Sequence, residues 1–151
     1  MFTVDASVHL NALNAAEPGS SRSQAFLEKL HRRPWPVHSP TLLLVEIAGA
    51  VARAEDDPAR GIALSRAIES LPGQIWIPLD AVLAPLAASL AAERRLRGAD
   101  AVYASVARRH ASFLVTRDRE QLDRLPPIVP TLTAEEALER LEALERAGPP
   151  R

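Results

Sequence analysis

The sequence predicts an α/β fold: a three-layer α/β/α sandwich around a parallel sheet of about four to five strands. Short apolar segments alternate with longer helical segments along the whole chain, which favours parallel strands covered by helices on both faces. The 151 residues suit one domain, and 47% hydrophobic with 25% charged residues is typical of globular proteins. We see no internal repeat and no long linker. One domain is therefore expected over residues 1–147, followed by a flexible tail over 148–151.

The predicted strands are short, apolar and bounded by turn-forming residues. They are expected at residues 2–4, 37–39, 74–77, 112–115 and 128–129. The last segment is the weakest of the five because prolines flank it. Ligands of parallel sheets bind beyond the carboxyl ends of the strands, so the residues that follow each strand are the first candidates for a site.

The helices are predicted from their periodicity and from the residues at their ends. Asp57 precedes Pro58, and proline tolerates the first helical position. Asp80, Thr133 and one of the serines 20 and 21 are expected N-caps, and Pro85 allows a later start after Asp80. The predicted ranges are 7–16, 20 to about 33, 41–55, 57 to about 72, 80–96, 100–110, 118–125 and 133 to about 147.

Two acids stand at predicted strand ends. Asp5 follows the first strand, and Asp118 comes shortly after the fourth. If both strands are central and parallel, these carboxylates emerge at the same edge, because neighbouring strands lie roughly 5 Å apart.

Two further acids interrupt apolar helical segments. Glu46 lies between Val45 and Ile47, and Asp100 lies between two alanines. A buried carboxylate stays ionised only when something compensates it, and arginine pairing, protonation and metal coordination are the three options. Hard divalent ions such as Mg²⁺ and Mn²⁺ prefer oxygen ligands and commonly retain waters. These four candidate acids, in a chain without cysteine, match that preference.

The composition excludes several classes of protein. With no cysteine, the chain has no disulfide framework and no thiolate nucleophile or ligand. The sequence lacks a basic, apolar signal segment and any apolar run of membrane-spanning length, so we expect a cytoplasmic protein. The formal net charge is −1, so bulk charge does not indicate a nucleic-acid partner and any such attraction must be local.

Taken in order, the acidic motifs resemble those of the PIN domain family. The resemblance lies in Val4-Asp5-Ala6-Ser7, Val45-Glu46-Ile47, Arg97-Gly98-Ala99-Asp100-Ala101 and Leu114-Val115-Thr116-Arg117-Asp118. Each motif is short, and the ordered set is the specific signal. The length and the motif order are similar to VapC-type toxins of toxin–antitoxin pairs.

This resemblance implies a Mg²⁺- or Mn²⁺-dependent endoribonuclease, usually a homodimer, inhibited by a small antitoxin encoded nearby. Asp5, Asp100 and Asp118 are the implied metal ligands, and Glu46 is expected to bind the ion or orient the attacking water. Such an ion acidifies a water and offsets charge at phosphorus. Ser7 and Thr116 are expected to donate hydrogen bonds to the carboxylates, or to serve only as a helix cap and a strand end.

Arginines near the acids are the candidate RNA contacts. Arg94, Arg95 and Arg97 precede Asp100, and Arg117 and Arg119 flank Asp118, where they are placed to bind phosphates or to form solvated faces. Apolar residues of the first two helices are either core or a groove for an antitoxin helix. They are Leu10, Leu13, Phe26, Leu27 and Leu30.

Other functions are weighed against this interpretation. A solitary RNA-processing nuclease would have the same site. A receiver-like signalling domain also combines a parallel sheet with an acidic Mg²⁺ site, but it would have a lysine late in the chain, whereas the only lysine here is Lys29. A phosphatase of the haloacid-dehalogenase type needs an acid two residues after the first, and Ser7 stands there. A non-catalytic binding module is separated from these by a cleavage assay.

Overall fold

A computed structural model describes residues 1–33 and 35–147 of the chain. Five strands form one parallel sheet in the order β3-β2-β1-β4-β5. The strands are β1 (Phe2–Val4), β2 (Val37–Pro40), β3 (Gln74–Ile77), β4 (Phe113–Val115) and β5 (Thr131–Leu132). The helices are α1 (Ala6–Leu13), α2 (Ser20–Arg32), α3 (Leu42–Glu55), α4 (Pro58–Glu69), α5 (Leu83–Arg94), α6 (Gly98–Arg109), α7 (Arg119–Arg124) and α8 (Ala134–Ala147).

The sheet separates two apolar cores, which gives the predicted three layers. On one face, Phe26 and Leu30 of α2 pack with Leu141 of α8 against the buried side chains of β1. On the other face, Leu43 and Ile47 of α3 pack with residues of α4, α5 and α6. Neighbouring residues of β4 point to opposite faces, as the pleat of a strand requires.

The sheet order brings the ends of β1 and β4 together. These strands pair in parallel with Val4 opposite Val115. The backbone N–H of Asp5 then donates to the carbonyl of Val115 at 2.9 Å, so the pairing continues one residue past β1. The residues that follow both strands therefore emerge at the centre of one sheet edge, where the sequence predicts the site.

Several helix starts occur where the end signals predict them. Asp57 accepts a hydrogen bond from the backbone N–H of Arg60, and Pro58 is the first helical residue of α4. Thr133 and Glu136 exchange hydrogen bonds at the start of α8, which is a capping box. Asp80 accepts from the N–H groups of residues 82 and 83, and α5 begins later than Asp80, as Pro85 allows.

Other local predictions are wrong. The fifth strand lies at Thr131–Leu132 and not at residues 128–129, because the N–H groups of Ile128 and Val129 bond to the carbonyl of Leu125 in a turn. Neither serine caps α2, since Ser20 is already helical and Gly19 occupies the cap position with φ of 81°. α1 ends at Leu13, three residues early, and α6 begins two residues before Asp100.

None of the helices among the described residues is long and apolar enough to cross a membrane. The predicted C-terminal tail, 148–151, lies outside the described residues.

Candidate active site

Asp5 lies at the centre of the sheet edge and is nearly buried. It occupies the cap position between β1 and α1, with 6% of its surface exposed. Three side chains donate to its Oδ2 atom: Ser7 Oγ at 2.6 Å, Thr116 Oγ1 at 2.8 Å and Gln121 Nε2 at 3.3 Å. Ser7 and Thr116 are therefore placed where the sequence expects carboxylate donors. All three donors use the same oxygen of Asp5, and its Oδ1 receives no side-chain hydrogen bond from the described residues.

Asp100 faces Asp5 across the amide of Gln121. It lies in the first turn of α6, and Gln121 Nε2 donates to its Oδ1 at 3.0 Å. The same nitrogen donates to Asp5, so one neutral amide joins the two carboxylates. Gln121 is fully buried, and its Oε1 has no hydrogen-bond partner among the described residues. The amide is thus oriented entirely by the two acids.

Glu46 reaches the site from α3 and contacts α6. Its Oε2 accepts a hydrogen bond of 2.6 Å from the hydroxyl of Tyr103, which is itself fully buried. Burial raises the pKa of Tyr103, so the phenol remains a proton donor. Tyr103 lies one turn after Asp100 on α6 and links Glu46 to the helix that holds Asp100.

Asp118 is held by the turn between β4 and α7. Its backbone N–H donates to Thr116 Oγ1 at 3.1 Å, and its own Oδ1 accepts from the N–H of Gln121 at 3.1 Å as the cap of α7. Thr116 therefore contacts both Asp5 and the segment that carries Asp118. The turn also places the N–H of Arg117 on Ser7 Oγ at 3.1 Å.

The four acids form one electrostatic cluster. Burial raises the pKa of Asp100 to about 6, and the charges of Asp5, Asp118 and Glu46 add to the rise, while Arg97 opposes it. Burial also raises the pKa of Asp5 against the opposing hydrogen bonds of Ser7 and Thr116, and Asp118 contributes to that rise. The pKa of Glu46 is raised by burial, with a further contribution from Asp5. Each of these groups disfavours ionisation of another, as crowded carboxylates do.

The donor set fits a hard divalent ion that keeps part of its hydration shell. The four acidic side chains offer only oxygen ligands, and a cation would relieve their mutual repulsion. Within residues 1–33 and 35–147, no three acidic or histidine side chains converge as a ready-made cage. Instead, the amide of Gln121 donates to both Asp5 and Asp100, and the phenol of Tyr103 donates to Glu46. Mg²⁺ is commonly bound through one or two carboxylates and several waters, which needs no closed cage.

Of the arginines predicted to contact RNA, the structure places some near the acidic cluster and others away from it. Arg97, the cap residue of α6, lies close enough to Asp100 to lower its pKa. Arg117 lies beside Thr116 at the sheet edge. Among the described residues, neither Arg94 nor Arg95 forms an ion pair with an acid of the cluster, and the carbonyl of Arg95 instead accepts from Arg124.

Sequence reasoning missed Gln121 and Tyr103. Gln121 lies three residues after Asp118, within a predicted short helix, and no sequence pattern indicates a role for its neutral side chain. Tyr103 lies within the helix predicted over 100–110, and no role was predicted for its side chain. A usable signal existed, because Tyr103 is the only tyrosine of the chain and follows Asp100 by three residues, on the same helical face.

Comparisons with known proteins agree with this architecture. The PIN domain family model matches residues 2–126, and the chain therefore belongs to the PIN domain family. No curated protein matches the sequence.

Solved structures share the fold. VapC20 from Mycobacterium tuberculosis, described as a sarcin-ricin loop cleaving toxin, is similar with a TM-score of 0.67 and 17% identity, covering 86% of this chain and 100% of that one. PAE2754 from Pyrobaculum aerophilum has a TM-score of 0.65 and 23% identity, covering 95% and 96%. A toxin-antitoxin complex from Klebsiella pneumoniae contains a chain with a TM-score of 0.65 and 17% identity, covering 89% and 98%. The predicted family and fold class are confirmed.

Proposed function

We propose that this chain is a divalent-metal-dependent endoribonuclease and the toxin of a toxin–antitoxin pair. One observation supports the nuclease above all others: Gln121 Nε2 donates to both Asp5 Oδ2 and Asp100 Oδ1, so two carboxylates lie side by side. Burial, together with the charges of Asp5, Asp118 and Glu46, raises the pKa of Asp100. Such a cluster has a charge that a divalent cation neutralises. Membership of the PIN domain family and the fold shared with VapC20 agree with this proposal.

The residues divide into three roles. Asp5, Asp100 and Asp118 hold Mg²⁺ or Mn²⁺, directly or through water. Glu46, with its Oε2 on the hydroxyl of Tyr103, orients the attacking water or joins the ligands. Ser7 and Thr116 keep the Oδ2 atom of Asp5 occupied, which leaves Oδ1 for the ion. The bound ion supplies the acidified water and offsets the charge that develops on the phosphoryl group.

The test is digestion of defined RNAs with Mn²⁺, with Mg²⁺ and with EDTA. Asp5→Asn and Asp100→Asn are each expected to abolish cleavage while circular dichroism and melting show a folded protein. Asp56→Asn, an exposed acid in the turn between α3 and α4, is the matched control and is expected to cleave normally. Cleavage by rigorously purified protein that survives excess EDTA, or survives both active-site substitutions, would refute the metal-dependent mechanism.

A solitary RNA-processing nuclease is the second candidate, because its active site would be identical. A toxin is distinguished from a solitary enzyme by its effect on growth and by its inhibitor. Expression of the chain alone is expected to slow growth, and co-expression of a small neighbouring open reading frame is expected to restore it and to co-purify with the chain. Growth that is indifferent to expression, with no neighbour that binds, would favour the solitary enzyme.

The structure argues against a receiver-like domain. Lys29 lies on α2 and forms ion pairs with Glu142 and Glu145 of α8, so it does not pair with the four acids of the cluster. A signalling role would require a lysine at the carboxyl edge of the sheet, beside the acids.

A further inference from the structure

A small basic cleft adjoins the acidic cluster. It has a volume of about 270 Å³ and lies between the starts of α2, α7 and α8. The residues that decide its chemistry are three arginines, two threonines and a glutamate: Arg22, Arg117, Arg119, Thr116, Thr133 and Glu135.

The three guanidinium groups come from different elements and line one cavity. Arg22 belongs to α2, Arg117 to the turn after β4, and Arg119 to the first turn of α7. Arg22 forms an ion pair of 3.4 Å with Glu135, and both side chains are more than half exposed, at 59% and 57%. Neither Arg117 nor Arg119 has an acidic partner within residues 1–33 and 35–147. The cleft therefore has an excess of positive charge.

The backbone at Gly19 makes room for Arg117. Gly19 adopts φ of +81°, and a Cβ atom there would lie 2.7 Å from Arg117 Nη1. A side chain at this position would thus push the guanidinium away, and glycine is also the residue that adopts this φ without strain. Arg117 lies against the start of α2 because residue 19 has no side chain.

Hydrogen bonds of Thr116 and Arg117 connect the wall of the cleft to the acidic cluster. Thr116 lines the cleft and also donates to Asp5 Oδ2 at 2.8 Å. The N–H of Arg117 donates to Ser7 Oγ, which donates in turn to Asp5. A ligand in the cleft is therefore separated from Asp5 by a single layer of side chains.

We propose that the cleft bounded by Arg22, Arg117 and Arg119 binds a phosphate of the RNA strand adjacent to the phosphodiester that is cut. The inference rests on the proposed nuclease function. An acidic cluster repels a polyanion, and arginines beside it offset that repulsion while setting the position of the strand. Because Asp5 is near, the occupant is more consistent with an RNA strand that continues from the reacting phosphate than with an acidic protein segment.

Glu135 is the internal competitor in this proposal. Its carboxylate forms the ion pair of 3.4 Å with Arg22, and an RNA phosphate would replace the carboxylate in this pair. Removing the charge at residue 135 is therefore expected to strengthen RNA binding, which simple damage to the fold would not do.

The test measures the binding of a fluorescent single-stranded RNA in EDTA, with Asp5→Asn as the background that prevents cleavage. Affinity is measured across salt concentrations, because each phosphate contact contributes about −0.7 to the slope of log K against log salt for single strands. Arg117→Ala with Arg119→Ala is expected to weaken binding and to make the slope shallower by about 0.7, the contribution of the one phosphate that the cleft binds. Glu135→Gln is expected to tighten binding, and Arg66→Ala, an exposed arginine of α4, is the matched control.

The outcomes separate this inference from the proposed function. If the Asp5→Asn protein does not bind RNA and the wild type does not cleave it, the nuclease function itself is wrong. If RNA binds with the same slope in all variants, the cleft is not a phosphate site, although the nuclease stands. If the double variant keeps its RNA affinity and loses a co-purifying acidic protein, the occupant is that protein and the inference is overturned.

Discussion

Gln121 offsets part of the repulsion between Asp5 and Asp100 with two hydrogen bonds. Its Nε2 lies 3.3 Å from Asp5 Oδ2 and 3.0 Å from Asp100 Oδ1, so two carboxylates that repel each other share one neutral donor. The bonds use one oxygen of each acid and leave the other available. Residues that orient metal ligands in this way typically change metal affinity 10- to 100-fold when they are replaced, an order-of-magnitude guide for this amide.

We expect Gln121→Met to weaken Mn²⁺ binding by about 10-fold or more, because methionine fills the same space without donating to either acid. Electron paramagnetic resonance of free Mn²⁺ during a titration measures the affinity without relying on catalysis. Leu125→Ala is the control, since Leu125 is fully buried at the end of α7 and its truncation destabilises packing without removing a hydrogen bond to the acids. Equal losses of affinity in both variants would assign Gln121 a purely structural role.

The second residue-scale prediction concerns the stability of the metal-free protein. The pKa of Asp100 rises to about 6, above its ordinary value of 3.8, so the folded state binds more protons than the unfolded state between these values. Stability conferred by the protonated form is therefore present at low pH and is lost as pH rises through about 6. Asp100→Asn is expected to raise the melting temperature in EDTA at pH 7.5, and this advantage should vanish below about pH 4.

Calorimetry at several pH values checks this expectation. Asp123→Asn, an exposed acid on α7, serves as the control. Millimolar Mn²⁺ is expected to stabilise the wild type more than Asp100→Asn, because the ion relieves the same repulsion. A melting temperature that responds neither to Mn²⁺ nor to this substitution would show that the acids do not act as a cluster.

At the residue scale, the sequence identifies the charged groups of the cluster but not their neutral partners. Asp5 and Asp118 are visible because they follow strands, and Glu46 and Asp100 because they interrupt apolar helical segments. The contacts of Gln121 span 21 and 116 residues along the chain, so no local pattern indicates them. The assignment of the four acids to a metal site remains a prediction.

At the scale of elements, the α3–α4 pair positions Glu46 through an unusually close backbone contact. Gly61 of α4 faces α3, and a Cβ atom there would lie 2.4 Å from the carbonyl oxygen of Ala48. Ser65 adds a hydrogen bond of 3.0 Å to the carbonyl of Leu44. The absence of a side chain at residue 61 therefore sets the distance between two helices, one of which carries a candidate catalytic acid.

Gly61→Ala is expected to force α3 and α4 apart and to destabilise the protein by about 1–3 kcal/mol, the usual range for overpacking. Displacement of α3 should also reduce cleavage, because Glu46 moves with it. Gly49→Ala is the matched control, since its added Cβ meets only the mobile end of Arg53, at 3.1 Å, and alanine favours the helix by about 0.5–1 kcal/mol. Thermal melting of the two variants gives the comparison, and an unchanged Gly61→Ala protein would show that the helices repack freely.

Element prediction succeeds where a short apolar segment has clear end signals. The bounds of β1 and β3 agree with the sequence prediction, because β1 is a short apolar segment that ends at Asp5 and β3 lies between Gly73 and Pro78. The fifth strand was misplaced because Ile128 and Val129 are apolar, whereas the sheet instead pairs Thr131 and Leu132 with β4. Hydrophobicity indicates burial, but pairing depends on where the chain reaches the neighbouring strand.

At the scale of the whole molecule, the apolar residues of α1 and α2, which the sequence allows to form either core or a groove for an antitoxin helix, are largely core. Phe26 and Leu30 are fully buried, and Leu10 and Leu27 pack against the cores. Leu13 alone of that set is half exposed. The helices α3 and α4 instead present a shallow apolar groove, with Val45 at 67% and Ile62 at 51% exposure.

This α3–α4 groove is the surface on which we expect a second copy of the chain to pack. Small residues, including Ala48 and Ala52, line it together with Ile62, which allows a helix of the partner to approach closely. An isologous dimer uses the same patch on both subunits, so one substitution changes both sides of the interface. The wild-type chain is expected to be a dimer and Ile62→Glu a folded monomer, as measured by light scattering during size-exclusion chromatography. Leu13→Glu, equally exposed at 50% on α1, should leave the dimer intact, and a dimer that survives Ile62→Glu but not Leu13→Glu would move the interface to α1.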